Sequence, residues 1–389
     1  MPRILSPLSR RRFVGGMAAT FGYLGLRSNT PAWAQSVEPV VTAAAGGRAA
    51  SSEYDSLVKL CFNENNYGPS EAVLKAMSDA FKYSNRYGYP DGAIVQAIAA
   101  HHGVSPSNIL IGAGSTEILC IAGSAFLQDH KKVVGIEPTF GTVYEHATGL
   151  KASAVRLELD GDFRQPIPAI VRAAKENHDQ LGFVYTCNPN NPTGVIVTKQ
   201  EIKQLLDDLP PDVPVLIDEA YFHFVESPDY ETSIPYVLQD RPVIVTRTFS
   251  KIAALAGMRL GYCVAPENLI EKMRPYADSG GVNALVKWGG SASLKDQDGE
   301  AQVKRKIVDT RKKTTAELEA MGFHVIPSEA NFFMVNLRRP VRPVIAAFRA
   351  QGILVGRPFP PMNEYLRVSV GTPEDMSKFV TAFREIVKA

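Results

Sequence analysis

The sequence predicts an α/β fold: a large, mostly parallel sheet between helices, followed by a smaller α+β domain. Three observations lead there. Apolar runs at Val133 to Ile136, Phe183 to Tyr185, Val213 to Ile217, Val243 to Thr246 and Gly261 to Val264 alternate with helical segments, the pattern of a sheet covered on both faces. Polar and glycine-rich clusters follow several of these runs directly, at the strand ends where open α/β sheets bind ligands. Beyond residue 277 the pattern changes. Gln302 to Met321 reads as a long amphipathic helix, Phe332 to Leu337 and Leu366 to Val370 as strands, and Pro343 to Ala350 and Pro373 to Val387 as helices. The expected organisation is a leader over 1–34, a linker and N-terminal arm over 35–66, a large domain over 67–277 and a small domain over 278–389. No internal repeat is present.

The N-terminus opens with Ser9-Arg-Arg-Arg-Phe-Val-Gly15, then an apolar run from Phe13 to Leu26, then Ala32-Trp-Ala34. Those three parts form a twin-arginine export signal with a small-residue cleavage site, predicting cleavage after Ala34 and a periplasmic or otherwise exported protein. The apolar run falls short of the about 18 residues of a spanning helix. Residues 1 to 34 hold five arginines and no acid, so removing them leaves 37 basic against 40 acidic residues, a net charge of −3. No basic patch then argues for nucleic acid, and no other segment is expected to span a membrane. Gln35 to Ser52, rich in alanine, glycine and serine, reads as flexible. The remaining 355 residues suffice for two domains. Four cysteines allow two disulfides in an exported protein, but Cys61, Cys120, Cys187 and Cys263 fall in separate elements, which favours buried free thiols.

Along the domain, Ile109-Leu-Ile-Gly-Ala-Gly-Ser-Thr-Glu117 carries a strand through a glycine turn into a helix. Backbone N–H groups of Ser115 and Thr116 at that helix start make an anion site. Cys187-Asn-Pro-Asn-Asn-Pro-Thr-Gly194 follows a buried run, and its prolines fix the turn while leaving asparagine amides, Asn191 first among them, to bind a ring. Val213 to Ile217 ends in Asp218-Glu219-Ala220-Tyr221. An acid there points into the ligand crevice, where it can pair with a protonated pyridine nitrogen, and Tyr221 can reach the same ring. Arg247-Thr-Phe-Ser-Lys-Ile-Ala-Ala-Leu-Ala-Gly-Met-Arg259 sets hydroxyls just before Lys251 and an arginine eight residues after it. That is the layout of a Schiff-base lysine on a phosphate-bearing cofactor, whose ammonium must lose its proton near neutral pH. Singly, each segment also fits an ordinary surface lysine, helix cap or turn.

Together, and in this order, these segments resemble the fold-type I aminotransferases of class I and II, most closely the histidinol-phosphate aminotransferase branch. Further pieces of the likeness are Phe62-Asn-Glu-Asn-Asn-Tyr-Gly-Pro-Ser70, Asn85-Arg-Tyr-Gly-Tyr-Pro-Asp91, Glu137-Pro-Thr-Phe-Gly141 and Leu366-Arg-Val-Ser-Val-Gly-Thr372. The resemblance runs from about Leu60 to the C-terminus. It implies a seven-stranded type of sheet, pyridoxal 5'-phosphate as cofactor and a homodimer with active sites between lobes and subunits. Lys251 then matches the cofactor lysine and proton shuttle, Asp218 the partner of the pyridinium, and Tyr221 and Asn191 the groups on the ring oxygen. Gly114, Ser115, Thr116, Thr248, Ser250 and Arg259 match the phosphate cradle, with Tyr89 reaching across from the other subunit. Phe140 matches the aromatic stacked on the ring, without the hydroxyl that many relatives carry. Arg367 matches the arginine that grips the substrate carboxylate, a contact suited to a guanidinium fork. Tyr67, Asn283 and Arg357 are further candidates on the substrate side, although Val-Gly-Arg-Pro-Phe-Pro-Pro around Arg357 departs from the usual segment.

The implied reaction is transamination by a ping-pong cycle, from an amino acid or related amine to a 2-oxo acid. A decarboxylase, lyase or racemase would share Lys251 and Asp218. A non-catalytic binding protein of this fold is the reading from another class. Histidinol phosphate is one candidate donor, disfavoured by export because the phosphorylated compound belongs to the cytoplasm. No metal is expected.

Overall fold

The computed structural model describes residues 53–278 and 281–388; the leader and most of the expected linker lie outside them. Twelve strands follow in chain order: β1 (Val58–Leu60), β2 (Ile109–Gly112), β3 (Lys132–Glu137), β4 (Ser153–Glu158), β5 (Leu181–Cys187), β6 (Val215–Asp218), β7 (Val243–Thr248), β8 (Gly261–Val264), β9 (Val325–Ile326), β10 (Phe332–Asn336), β11 (Ile353–Val355) and β12 (Tyr365–Ser369). Seven of them form the main sheet in the order β2-β8-β7-β6-β5-β3-β4. β4, β3, β5, β6 and β7 run parallel, and β8 runs antiparallel to both its neighbours. The expected α/β architecture with a mostly parallel sheet is therefore present.

Every residue of β5, β6, β7 and β8 is buried. Alternate side chains go to opposite faces, as the period of a strand requires. Val184, Val215, Ile217, Val243, Val245 and Val264 join one apolar cluster, while Phe183, Tyr185, Leu216, Ile244 and Cys263 join another. Helices complete both layers. Ile170 and Leu205, from the helices Ile167–Glu176 and Lys199–Asp208, fill the first cluster, and Ile118 and Ile270, from Ser115–Phe126 and Glu267–Met273, fill the second. Truncating a side chain such as Ile217 to alanine in packing this dense costs about 2–5 kcal/mol.

A third cluster gathers Phe332, Phe333, Val335, Phe348, Phe379 and Phe383 around the three-stranded sheet β12-β10-β9. The helix Gln297–Ala320 covers it, beginning five residues before the sequence pattern suggests because Asp296 caps it by accepting from the Gly299 N–H at 3.1 Å. Sequence patterning does not reveal β1, three residues long, which pairs in parallel with β11. That pairing leads residues 61–65 past the ends of β6 and β7. Among the described residues no helix is long and apolar enough to cross a membrane, all four cysteines are free, and no metal-binding cluster occurs.

Candidate active site

The site lies at the carboxyl ends of the parallel strands. Asp218 ends β6, the asparagine loop follows β5, and Thr248 ends β7 three residues before Lys251. Behind them the buried pair Arg247 and Glu219 joins β7 to the turn after β6, with Nη2 to Oε2 at 2.7 Å and side chains 3% and 0% exposed. Phe222 covers that guanidinium at 3.4 Å from its ring centroid. Removing one member would strand the other charge, so the pair fixes these two chain ends to each other.

Lys251 donates from Nζ to the Phe62 carbonyl at 3.2 Å and lies 5.6 Å from the centre of the Tyr221 ring. Burial first, and then the positive charge of Arg367, bring its ammonium down from 10.5 to about 8. Asp218, 2% exposed, accepts from the Ala220 N–H and the Thr246 hydroxyl, each at 3.2 Å. Burial pushes its carboxyl up to about 6, and these two donors only partly oppose that. Among the described residues no cation stands within ion-pair distance of it. A protonated ring nitrogen would supply the missing charge.

Tyr221 accepts at its hydroxyl from Asn191 Nδ2 at 3.4 Å, and burial raises the pKa of the phenol. Asn191 in turn accepts from Arg367 Nη1 at 2.7 Å. Its loop is tied down by Asn188, which exchanges two hydrogen bonds with the Val197 backbone at 2.9 Å, and by Asn190, which accepts from the Thr139 hydroxyl at 2.8 Å. Arg367, on β12, is 6% exposed and donates from Nη2 to the Cys61 carbonyl at 2.7 Å. Its Nε has no partner, and no described carboxylate lies in ion-pair range. Burial lowers its pKa to about 10, so the guanidinium remains charged at neutral pH and lacks an anion.

Ser115, Thr248, Ser250 and Arg259 come together at the start of the helix Ser115–Phe126. Thr248 donates to the Ser250 hydroxyl at 2.9 Å, and Arg259 extends from a left-handed backbone, φ +61°, to the Ala113 carbonyl at 3.2 Å. The close approach depends on two glycines. A Cβ on Gly114, at φ +86°, would lie 2.1 Å from Arg259 Nη2, and one on Gly261 would lie 2.2 Å from the Ser115 nitrogen. Hydroxyls, a guanidinium without a carboxylate partner among the described residues and a helix N-terminus are the groups that a phosphate cradle needs. A cleft of about 450 Å³ opens beside it, lined in part by Glu64, Asn65, Ser250 and Ala256.

The remaining candidates make contacts of other kinds. Thr116 is exposed on the first helical turn, and half-buried Phe140 accepts through its carbonyl from the Tyr185 hydroxyl at 3.1 Å. Tyr89 donates to the Val282 carbonyl of its own chain at 3.3 Å. Asn283 caps the helix Ala284–Ser293 and donates to the Met258 carbonyl at 3.0 Å. Tyr67 packs beside the third apolar cluster. Arg357 is exposed, with its guanidinium 4.4 Å from the Phe359 ring centre; Arg367 lies 4.5 Å from the same ring. Sequence reasoning assigned no role to Asn63, Asn331 or Ser369, which meet next to Tyr221. The one signal for them was the crowding of asparagines after Phe62.

Comparison with known proteins agrees with this arrangement. Residues 55–383 match the family described as aminotransferase class I and II. The chain belongs to that family. The enzyme is thus an aminotransferase that depends on pyridoxal 5'-phosphate, and the buried acid, the lysine and the phosphate cradle suit that cofactor. It is similar to the histidinol-phosphate aminotransferase of Moorella thermoacetica, 34% identical over 338 residues, covering 85% of this chain and 86% of the relative. It is also similar to that of Bacillus subtilis, 32% identical, with 87% and 94% covered. A crystal structure from Erwinia carotovora atroseptica, 31% identical, superposes with a TM-score of 0.83 over 86% of this aminotransferase and 97% of that chain. The histidinol-phosphate aminotransferase of Sinorhizobium meliloti, solved with pyridoxal 5'-phosphate, shares the fold at a TM-score of 0.81 and 24% identity, with 94% and 99% covered.

Proposed function

We propose that this aminotransferase moves an amino group from an amino acid or related amine to a 2-oxo acid by a ping-pong cycle, with Lys251 as cofactor lysine and proton carrier. When bound, pyridoxal 5'-phosphate supplies a carbonyl that condenses with amines and a ring that stores the electron pair released at the substrate's α-carbon. Lys251, with its pKa near 8, is able to take a proton from that carbon and return it. Asp218 holds the ring nitrogen protonated, and Tyr221 and Asn191 serve the ring oxygen. Gly114, Ser115, Thr116, Thr248, Ser250 and Arg259 hold the phosphate, with Phe140 against the ring face. The observation that carries the reading is Arg367, buried, charged and without a carboxylate partner among the described residues: it suits the carboxylate of a 2-oxo acid and the acidic group, carboxylate or phosphate, of the donor. Tyr67, Asn283 and Arg357 are the candidates for the rest of the substrate.

Export through the twin-arginine route and a homodimer, with Tyr89 serving the partner's phosphate, belong to the same proposal. Leu74, Phe81 and Tyr87, exposed and near Tyr89 in sequence, would suit contact with a second copy. The relatives' name makes histidinol phosphate one donor to try, but an exported enzyme would rarely meet it. Mixing holoenzyme with a panel of amino acids and histidinol phosphate, without any oxo acid, tests the reading. One equivalent of oxo product per site is expected, and Arg367→Ala should raise the donor's KM by about 10- to 100-fold while retaining the bound cofactor. Carbon dioxide release would identify a decarboxylase instead, and an unchanged KM would remove Arg367 from the substrate site.

A further inference from the structure

Asn63 reaches the site from outside the main sheet. It is 1% exposed, and its backbone is left-handed at φ +55°, a conformation that asparagine tolerates better than most residues. Its N–H donates to the Ser369 hydroxyl at 2.8 Å, that hydroxyl donates to Asn63 Oδ1 at 2.9 Å, and the Asn63 carbonyl accepts from Asn331 Nδ2 at 3.0 Å. Ser369, accepting from the backbone N–H and donating to Oδ1, orients the Asn63 amide in this arrangement. Its Nδ2 then faces Tyr221 and donates to the phenol oxygen at 3.1 Å. Asn191 is oriented in the same manner, since Arg367 occupies its Oδ1 and leaves Nδ2 for the same oxygen at 3.4 Å.

A phenol oxygen accepts two hydrogen bonds and donates one. Both accepting positions of Tyr221 are taken by amide donors. In this arrangement its hydrogen is left for a third group. We propose that Asn63 is a positioning residue which, with Asn191, makes the Tyr221 hydroxyl a donor toward the ring oxygen of the cofactor. Ser369 ends β12, the strand that carries Arg367, and Asn331 immediately precedes β10. The strands that hold the carboxylate-binding arginine thus also set the orientation of Tyr221. This role rests on the proposed function of Tyr221.

A hydrogen bond given to the ring oxygen favours its anionic form and so lowers the pH at which the bound cofactor's visible band changes. Tyr221→Phe should raise that midpoint. Asn63→Gly, which accepts the left-handed backbone, should raise it in the same direction by about half a pH unit to one unit. Added to Tyr221→Phe, it should produce no further change. Ser369→Ala frees the Asn63 amide to turn and should give a smaller rise; it carries the test if Asn63→Gly does not fold. A midpoint unmoved in both single variants, or an Asn63→Gly shift that persists in Tyr221→Phe, overturns the role. A wild-type protein that binds no cofactor overturns the function proposed above as well, whereas a coloured wild type with an insensitive midpoint overturns only the role of Asn63.

Discussion

Lys251 illustrates how position alters a side chain's chemistry. At its ordinary value of 10.5 a lysine is almost entirely ammonium at neutral pH, but at about 8 roughly one amine in ten is free at pH 7. Only the neutral amine attacks a carbonyl. The rate at which apoprotein takes up pyridoxal 5'-phosphate should therefore climb about tenfold per pH unit up to about 8 and then level off. Stopped-flow absorbance across pH 6 to 10 reads this. A rate still climbing above about pH 9 would show a lysine of ordinary basicity. Arg367 follows the same physics. Burial lowers its pKa to about 10, which still leaves a charged fork at the pH where Lys251 works.

At the scale of elements, the proposed phosphate cradle depends on how closely β8 approaches the helix Ser115–Phe126. Gly261 pairs with Gly112 on one side and Thr248 on the other, and a Cβ there would meet backbone atoms of Ser115 and Gly114 at 2.2 and 2.4 Å. Backbone cannot yield as a side-chain tip does, so Gly261→Ala should cost about 1–3 kcal/mol and weaken cofactor binding by about tenfold or more. Fluorescence titration beside a thermal melt checks both, and wild-type affinity would show that the cradle tolerates the widening. The strands were readable because β5 to β8 are buried on both faces and so must be apolar throughout. The candidates Asn191, Asp218, Tyr221, Ser250 and Lys251 were legible for a related reason, since they lie at or just beyond the ends of β5, β6 and β7. β1 was not, because three residues carry too short a pattern, and without β1 nothing in the sequence brings Asn63 to Tyr221. Ser369 was equally hidden: its role comes from a partner 306 residues away.

At the scale of the whole molecule, the proposed export and dimerisation would determine where the chemistry happens and how many sites it has. Native mass spectrometry of exported protein reads both, and a chain beginning at Gln35 with twice the single-chain mass is expected. An uncleaved chain or a monomer would remove the corresponding part of the proposal. All other roles converge on one covalent bond. Reducing the holoenzyme with borohydride and mapping its peptides by mass spectrometry identifies the lysine that carries the cofactor. The cofactor is expected on the Lys251 peptide alone; its attachment to another lysine, with Lys251 unmodified, would contradict the assignment of the site.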